Sequence, residues 1–377
     1  MKFNLKRVIK TIDLSSAEKA FLSANGLNTE VERKSESNGS SIKSLIFLVN
    51  ISLALINIIN INYNQTVKIN SVNMLVTLRE VTYIGLLVAM KMTIVGYNQL
   101  IASNQTIITP DQTWNVNKVR SVIITVYLIV NAIRTLKLLI DFHWPDAVDK
   151  PSILGSLFLS IHSIWLSDGL LFFSIYLYIA AVYFLHQICV NFKDKVIKTM
   201  SNSHRPSTHE ISTLRGDRSR YQAIKRFLDE TINWWSFIWY IEAFIITCLI
   251  LISVFHPAST ETAHFLNDSW FVYLTRMVCL FTATILVDYV TNFESDITFY
   301  IGDHLAPCLD DPVEVKLEYI KLSQELGSRP FIPYTLADMF NLNRNSILSF
   351  FSAVLPLTAI TLSFIREANN SSKPEST

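Results

Sequence analysis

The amino-acid sequence predicts an all-α membrane protein: seven transmembrane helices, N-terminus cytoplasmic, C-terminus extracellular, with helices extended into the cytoplasm. Composition is the first reason. Half of the 377 residues are hydrophobic and 17% are charged, whereas soluble domains are about a quarter charged. Segment length is the second: seven segments are apolar over the ~20 residues that a bilayer core requires. The third is the Lys and Arg distribution, which alternates from loop to loop.

The spans are placed near 44–63, 83–102, 121–141, 168–192, 235–255, 271–293 and 345–365. The first, SLIFLVNISLALINIININY, has no charge. The fifth carries Glu242, the sixth carries Arg276 and Asp288, and the second has Lys91 at its middle. Residues 152–165, SILGSLFLSIHSIW, are apolar but too short to span. Ser167, Asp168 and Gly169 set them apart from the fourth span, so they read as an interfacial or re-entrant helix, with an eighth span as the rival.

Orientation follows from loop Lys and Arg. The segment through Lys43 and the loops after spans two, four and six, counted through Arg344, hold 23 of them, against 5 on the other side. Residues 1–43 are thus expected as a cytoplasmic tail and 366–377 as an extracellular one. Sequons at Asn64, Asn267, Asn369 and Asn370 fall on the outer side and are glycosylation candidates; those at Asn38 and Asn104 fall inside, as chance matches. Trp144, Trp165 and Trp270 lie near outer boundaries and Trp114, Trp234 and Trp235 near inner ones, an aromatic belt on each side.

Several classes are excluded. The net charge of +1 lacks the basic footprint of a nucleic-acid binder. The first twenty residues contain no apolar core of signal-peptide length. The four cysteines have no metal or disulfide spacing, and His162 and His186 are isolated, so no metal or cofactor is expected. No catalytic constellation or phosphate-cradling glycine loop occurs, so the chain is not expected to be an enzyme. The inward N-terminus and the absence of DRY-type and NPxxY-type runs argue against a G-protein-coupled receptor.

The inner loops look helical. From Arg215, Tyr221, Ile224, Phe227 or Leu228, Ile232 and Trp235 recur at helical spacing, so span five ends a longer helix. Asp310-Asp311-Pro312 starts a second helix, PVEVKLEYIKLSQEL, which stops at Gly327. Residues 35–41, 201–210 and the tail after Glu367 read as mobile linkers.

Two stretches carry a family resemblance. Met339–Ile365, MFNLNRNSILSFFSAVLPLTAITLSFI, has the Phe340, Leu342 and Asn343 that precede the last span in invertebrate gustatory receptors, and the second inner loop matches at Leu214, Arg215, Tyr221, Ile232 and Asn233. The chain resembles that family, which includes insect odorant receptors and nematode class-r serpentine receptors. It departs from the family motif at Ser363, where Gln is usual, and at Pro356-Leu357, where Thr-Tyr is usual. The resemblance implies a tetrameric, small-molecule-gated cation channel in the plasma membrane, with span seven lining the pore and a ligand pocket among the other helices. A metabotropic seven-span receptor and a secondary transporter are the alternatives.

The candidate site residues fall into three groups. Ser349, Ser352, Pro356, Ala359 and Ser363 recur at steps of three and four on one small, partly polar face of span seven. Such a face suits a pore wall or close helix packing; the resemblance favours the pore. Lys91, Arg134, Lys137, Asp168 and Arg276 either form a partly cationic outer vestibule or snorkel to headgroups, with Asp141 pairing to Lys137. Glu242 and Asp288 lie in the inner halves of spans five and six and are expected to pair with cytoplasmic Arg or Lys, or to ring a cation exit.

Overall fold

A computed structural model describes residues 16–27, 37–63, 71–104, 110–141, 151–201, 206–255, 260–304, 312–328, 334–336 and 340–371. The described chain is helical apart from one two-stranded ribbon. The helices are α1 (Ser16–Ala24), α2 (Ser37–Tyr63), α3 (Ser71–Asn104), α4 (Pro110–Asp141), α5 (Pro151–His162), α6 (Asp168–Ser201), α7 (Thr208–Phe255), α8 (Thr260–His304), α9 (Val313–Ser328) and α10 (Arg344–Ser371). Each expected span lies inside one long helix: α2, α3, α4, α6, α7, α8 or α10. By length and composition, four stretches among the described residues can cross a membrane: Ile42–Ile59, Leu157–Thr199, Arg276–Gly302 and Arg344–Ser363.

The break expected at Ser167-Asp168-Gly169 does not exist. A π-helical turn, Ser163–Ser167, joins α5 to α6 without interruption. The Asp168 amide donates to the Ser163 carbonyl five residues back, so the wider turn keeps the backbone paired where a polar triplet suggested a loop. Residues 152–165 therefore begin the fourth rod and form no separate re-entrant helix. Other expected linkers are also helical: 37–41 belong to α2, 208–210 to α7 and 366–371 to α10. Residues 202–205 lie outside the described residues.

Helix α7 is the organising element. Its 48 residues would extend about 72 Å at 1.5 Å per residue, more than twice a hydrocarbon core. It packs along α3, α6, α9 and α10. The buried stripe is Tyr221, Ile224, Leu228, Ile232, Trp235 and Trp239, and Phe227 faces out. Trp235 belongs to this core and not to an aromatic belt: it is fully buried and its Nε1 donates to Thr93 Oγ1 at 3.1 Å. Trp239 donates to Ser174 Oγ at 2.9 Å and Tyr97 to the Leu177 carbonyl at 2.9 Å. These polar tips are satisfied inside the bundle, as buried aromatic donors must be. At its start, Ser207 and Glu210 form a reciprocal capping box: the Ser207 amide donates to Glu210 Oε2 at 2.7 Å and the Glu210 amide to Ser207 Oγ at 3.3 Å.

Beyond the apolar windows, α7, α8 and α9 form a second layer. Arg215 pairs with Glu318 at 2.6 Å and with Glu325 on α9. Lys321 and then Arg215 hold the Glu318 carboxyl below its ordinary range. Lys225 and Glu294, both fully buried, pair at 2.5 Å, and Tyr221 donates to the same Glu294 carboxylate. Burial, then Glu294, holds the Tyr221 phenol well above its ordinary range, so it remains a donor. A ribbon then leads into α10: Thr335–Leu336 (β1) pairs antiparallel with Phe340–Asn341 (β2). Asp229 of α7 anchors it, accepting from the Thr335 amide at 2.9 Å and hydroxyl at 3.0 Å.

The segment 16–27, part of the residues expected as a cytoplasmic tail, packs into the bundle. Leu22, Asn25, Gly26 and Leu27 are buried. Helix α1 ends in a Schellman turn: Leu27 N donates to Leu22 O at 2.9 Å, Gly26 N donates to Ser23 O at 2.9 Å, and Gly26 adopts φ 74°. A Cβ at Gly26 would also meet the Phe47 backbone at 2.3 Å, so glycine is required twice over.

Candidate functional site

The bundle interior contains a cluster of ionised side chains contributed by five helices. Asp168, the first residue of α6, is its hub. Arg134 of α4 pairs with its Oδ2 at 2.7 Å, Arg79 of α3 lies 3.7 Å from the same oxygen, and Arg276 of α8 pairs with Oδ1. Arg276 also reaches Glu242 of α7 at 3.0 Å. Glu80, beside Arg79, is fully buried and accepts from Asn57 at 3.0 Å, Ser163 at 2.6 Å and Ser167 at 3.0 Å.

The π turn explains part of this geometry. Ser163 and Ser167 sit at its two ends and both hydroxyls reach Glu80. Tyr127 donates to the Trp165 carbonyl at 2.9 Å, and Trp165 Nε1 donates to Thr135 Oγ1 at 2.8 Å. Thus α4 grips the turn on one side and α3 on the other. Three guanidinium groups face three carboxylates, and a low-dielectric interior tolerates such charges only when they are paired and hydrogen-bonded.

Three of the expected vestibule residues, Arg134, Asp168 and Arg276, do come together. Two do not. Lys91 lies 12 residues along α3 from Arg79, about 18 Å at 1.5 Å per residue, and its Nζ sits 3.8 Å over the Phe47 ring. Lys137, three residues beyond Arg134 on α4, is exposed; the Asp141 side chain lies outside the described residues. Glu242, expected near the inner end with a cytoplasmic partner, instead meets Arg276. Apolar windows read one helix at a time do not align helices with one another, so they could not bring Glu242 of α7 level with Arg276 of α8. Asp288 pairs with Arg344 at 2.7 Å, at the start of α10. Arg79 and Glu80 were missed because they precede the apolar window at 83. A usable signal was there: an adjacent Arg-Glu pair between MLVTL and VTYIGLLVAM, both apolar.

Helix α10 presents the second candidate feature. Asn343 and Ser346 cap it reciprocally, with the Ser346 amide donating to Asn343 Oδ1 at 3.2 Å and the Asn343 amide to Ser346 Oγ at 3.1 Å. Only one stripe, Phe350, Val354 and Thr358, is buried against the rest of the chain. Phe350 packs edge-on to Tyr240, Phe244 and Phe281. Ser349, Ser352, Pro356, Ala359 and Ser363 are all exposed, as are Leu355 and Leu357. Pro356 has no amide to donate to the Ser352 carbonyl, yet the helix continues through it. A groove of about 710 Å³ runs between α7 and the start of α10, lined by Tyr240, Ile241, Phe244, Asn343, Ser346 and Ser349.

Of the sequon residues, Asn64 lies outside the described residues. Asn267 lies on the α8 backbone, and Asn369 and Asn370 on that of α10.

No protein-family model and no curated protein sequence matches the chain. Its architecture does match solved structures. The insect olfactory receptor OR5 from Machilis hrabei superposes with a TM-score of 0.66 at 10% identity, covering 95% of this chain and 97% of that one. The same receptor in complex with eugenol gives 0.67 at 10% identity, with 96% and 98% covered. Likeness over at least 95% of both chains is a property of the whole fold: this chain is a helical membrane protein with an insect olfactory receptor-like fold.

Proposed function

We propose that the protein is a chemosensory receptor of the plasma membrane, and specifically a small-molecule-gated cation channel with four subunits. It is a receptor and not an enzyme. Its N-terminus is cytoplasmic, its C-terminus extracellular, and α10 lines the pore. The observation that carries this reading is the end-to-end structural likeness to OR5, a receptor solved with a small molecule, eugenol.

The burial of α10 supports the assignment of the pore. A helix attached to its own subunit by one stripe leaves its remaining faces for neighbouring subunits, lipid or water. The face of Ser349, Ser352, Pro356, Ala359 and Ser363 is free of bulk and carries three hydroxyls, which suits a water-filled axis. The departures at Ser363 and Pro356-Leu357 keep this face small. Signals from the bundle have a short route to it. Glu242 of the charge cluster lies on α7 between Tyr240 and Phe244, both of which touch Phe350.

The test is a cysteine scan from 349 to 363 in cells. Ligand-evoked currents should be blocked by water-soluble thiol reagents at 349, 352, 356, 359 and 363, and spared at 350, 354 and 358. Uniform insensitivity in open channels would remove α10 from the pore.

A further inference from the structure

We propose that the space between α2, α3, α4 and α6 is a ligand-binding site whose resident occupant is the chain's own helix α1, and that small aromatic molecules carrying a hydrogen-bond acceptor bind there by displacing Phe21. The inference rests on the receptor reading above and names the chemistry of its ligand.

Helix α1 sits in this space as a ligand would. Phe21 lies between two rings, 5.1 Å from Phe173 and edge-on to Tyr127 at 6.5 Å. Its Cζ closes on Gly169, where a Cβ would stand 3.1 Å from it and 2.1 Å from the Tyr127 hydroxyl. Gly169 follows Asp168, so the ring rests on the backbone of the charge cluster's hub. Around this aromatic anchor the bundle supplies hydrogen-bond donors and α1 supplies acceptors. Tyr176 donates to Glu18 at 2.9 Å, Tyr83 to Asn25 Oδ1 at 2.9 Å, and Asn50 to the Ala24 carbonyl at 2.9 Å. The sequence pattern fits an inserted segment. Leu22, Asn25 and Leu27 are buried, whereas Ala20 and Ala24 are exposed, so one face is held by the bundle and the other carries small, uncharged residues.

A nine-residue helix has little stability of its own, because helices shorter than about 12 residues are marginal in water. Its order depends on these ring and hydrogen-bond contacts, so a molecule that reproduces them can replace it. That molecule needs a ring for the Tyr127–Phe173 slot and an acceptor for the Tyr176 hydroxyl. The π turn, a feature frequent at functional sites, lies directly before Gly169. Through it, displacement of Phe21 reaches Glu80 and Asp168 within a few residues.

The probe is 2-naphthoate, which has one ring system and one carboxylate acceptor, titrated into the full chain in lipid nanodiscs and followed by its fluorescence. Phe21→Ala removes the resident ring and should tighten naphthoate binding at least tenfold. Phe21→Leu keeps most of the bulk and should tighten it about threefold. Adding Tyr176→Phe to Phe21→Ala removes a donor and should cost most of the gain. Equal affinity in wild type and both Phe21 variants overturns the site, and so does an unchanged gain with Tyr176→Phe. Aggregation of both Phe21 variants overturns it too, because a displaceable occupant is not needed for folding. Currents separate this inference from the channel reading. Tighter binding with no current in any variant supports the site and counts against the channel. Ligand-evoked currents with unchanged binding support the channel and count against the site.

Discussion

Asp168 has one carboxylate and three guanidinium neighbours, an imbalance corrected only by Glu242 and Glu80 nearby. Its position makes it the residue whose loss is costliest. Asp168→Asn leaves Arg134, Arg79 and Arg276 without their shared anion in a buried setting, and breaking such a pair costs roughly 3–5 kcal/mol. The apparent melting temperature in detergent should fall by roughly 5 °C or more. Lys198→Gln, on an exposed face of α6, should stay within about 0.5 kcal/mol of wild type, as surface changes do. If the two variants melt alike, the cluster is not structural. The sequence located Arg134, Asp168 and Arg276 as intramembrane charges. It did not pair them, because apolar windows read one helix at a time do not align helices with one another.

At the scale of elements, α7 joins the charge cluster to the layer around α9. Its buried stripe was legible from Tyr221 to Trp235 because periodicity survives where composition turns polar. Inside that stripe, Lys225 and Glu294 are both fully buried. Lys225→Met alone should destabilise by about 3–5 kcal/mol, since it strands the Glu294 carboxylate, whereas Lys225→Met with Glu294→Leu should recover more than half of that loss. Thermal unfolding of the two single variants and the double variant checks the coupling; additive losses would show that the pair is not coupled. The ribbon is held to α7 by Asp229, so Asp229→Ala should cost about 1–3 kcal/mol by removing the acceptor of the Thr335 amide and hydroxyl. Trypsin cleavage between α9 and α10 should then quicken; an unchanged cleavage rate would mean that the ribbon holds without Asp229. The motif residues Leu342 and Asn343 acquire a physical role here: Leu342 donates its amide to the Tyr334 carbonyl at 2.8 Å, and Asn343 caps α10.

For the whole molecule, the seven long helices and the OR5-like arrangement make topology the decisive measurement. The 23 to 5 distribution of loop Lys and Arg is the ground for the proposed cytoplasmic N-terminus. An epitope at residue 377 should be stained on intact cells and one at residue 1 only after permeabilisation; surface staining at residue 1 would reverse the proposed orientation. Apolar residues on α10, among them Leu348, Leu355 and Ile360, are exposed. On the proposed four-subunit assembly, mass photometry of the protein in nanodiscs should give a mass of four chains; a single-chain mass would remove the shared pore axis.

The sequence by itself determined the helical class, one long helix for each expected span, the extension of α7 and the start of α9. These follow from apolar length, 3.6-residue periodicity and helix-start chemistry, all properties of neighbouring residues. Tertiary structure alone decided that α5 runs into α6 through a π turn, that Glu242 meets Arg276, that Trp235 is core, and that residues 16–27 enter the bundle. In each case a polar or short segment looked like a loop, tail or interface until partners distant in sequence satisfied its hydrogen bonds. Ser163 and Ser167 need Glu80, Asn25 needs Tyr83, and Glu18 needs Tyr176. Such pairings cost nothing to draw on paper and a great deal to leave unmade in a low-dielectric interior, which is why the fold, and not the local sequence, settled them.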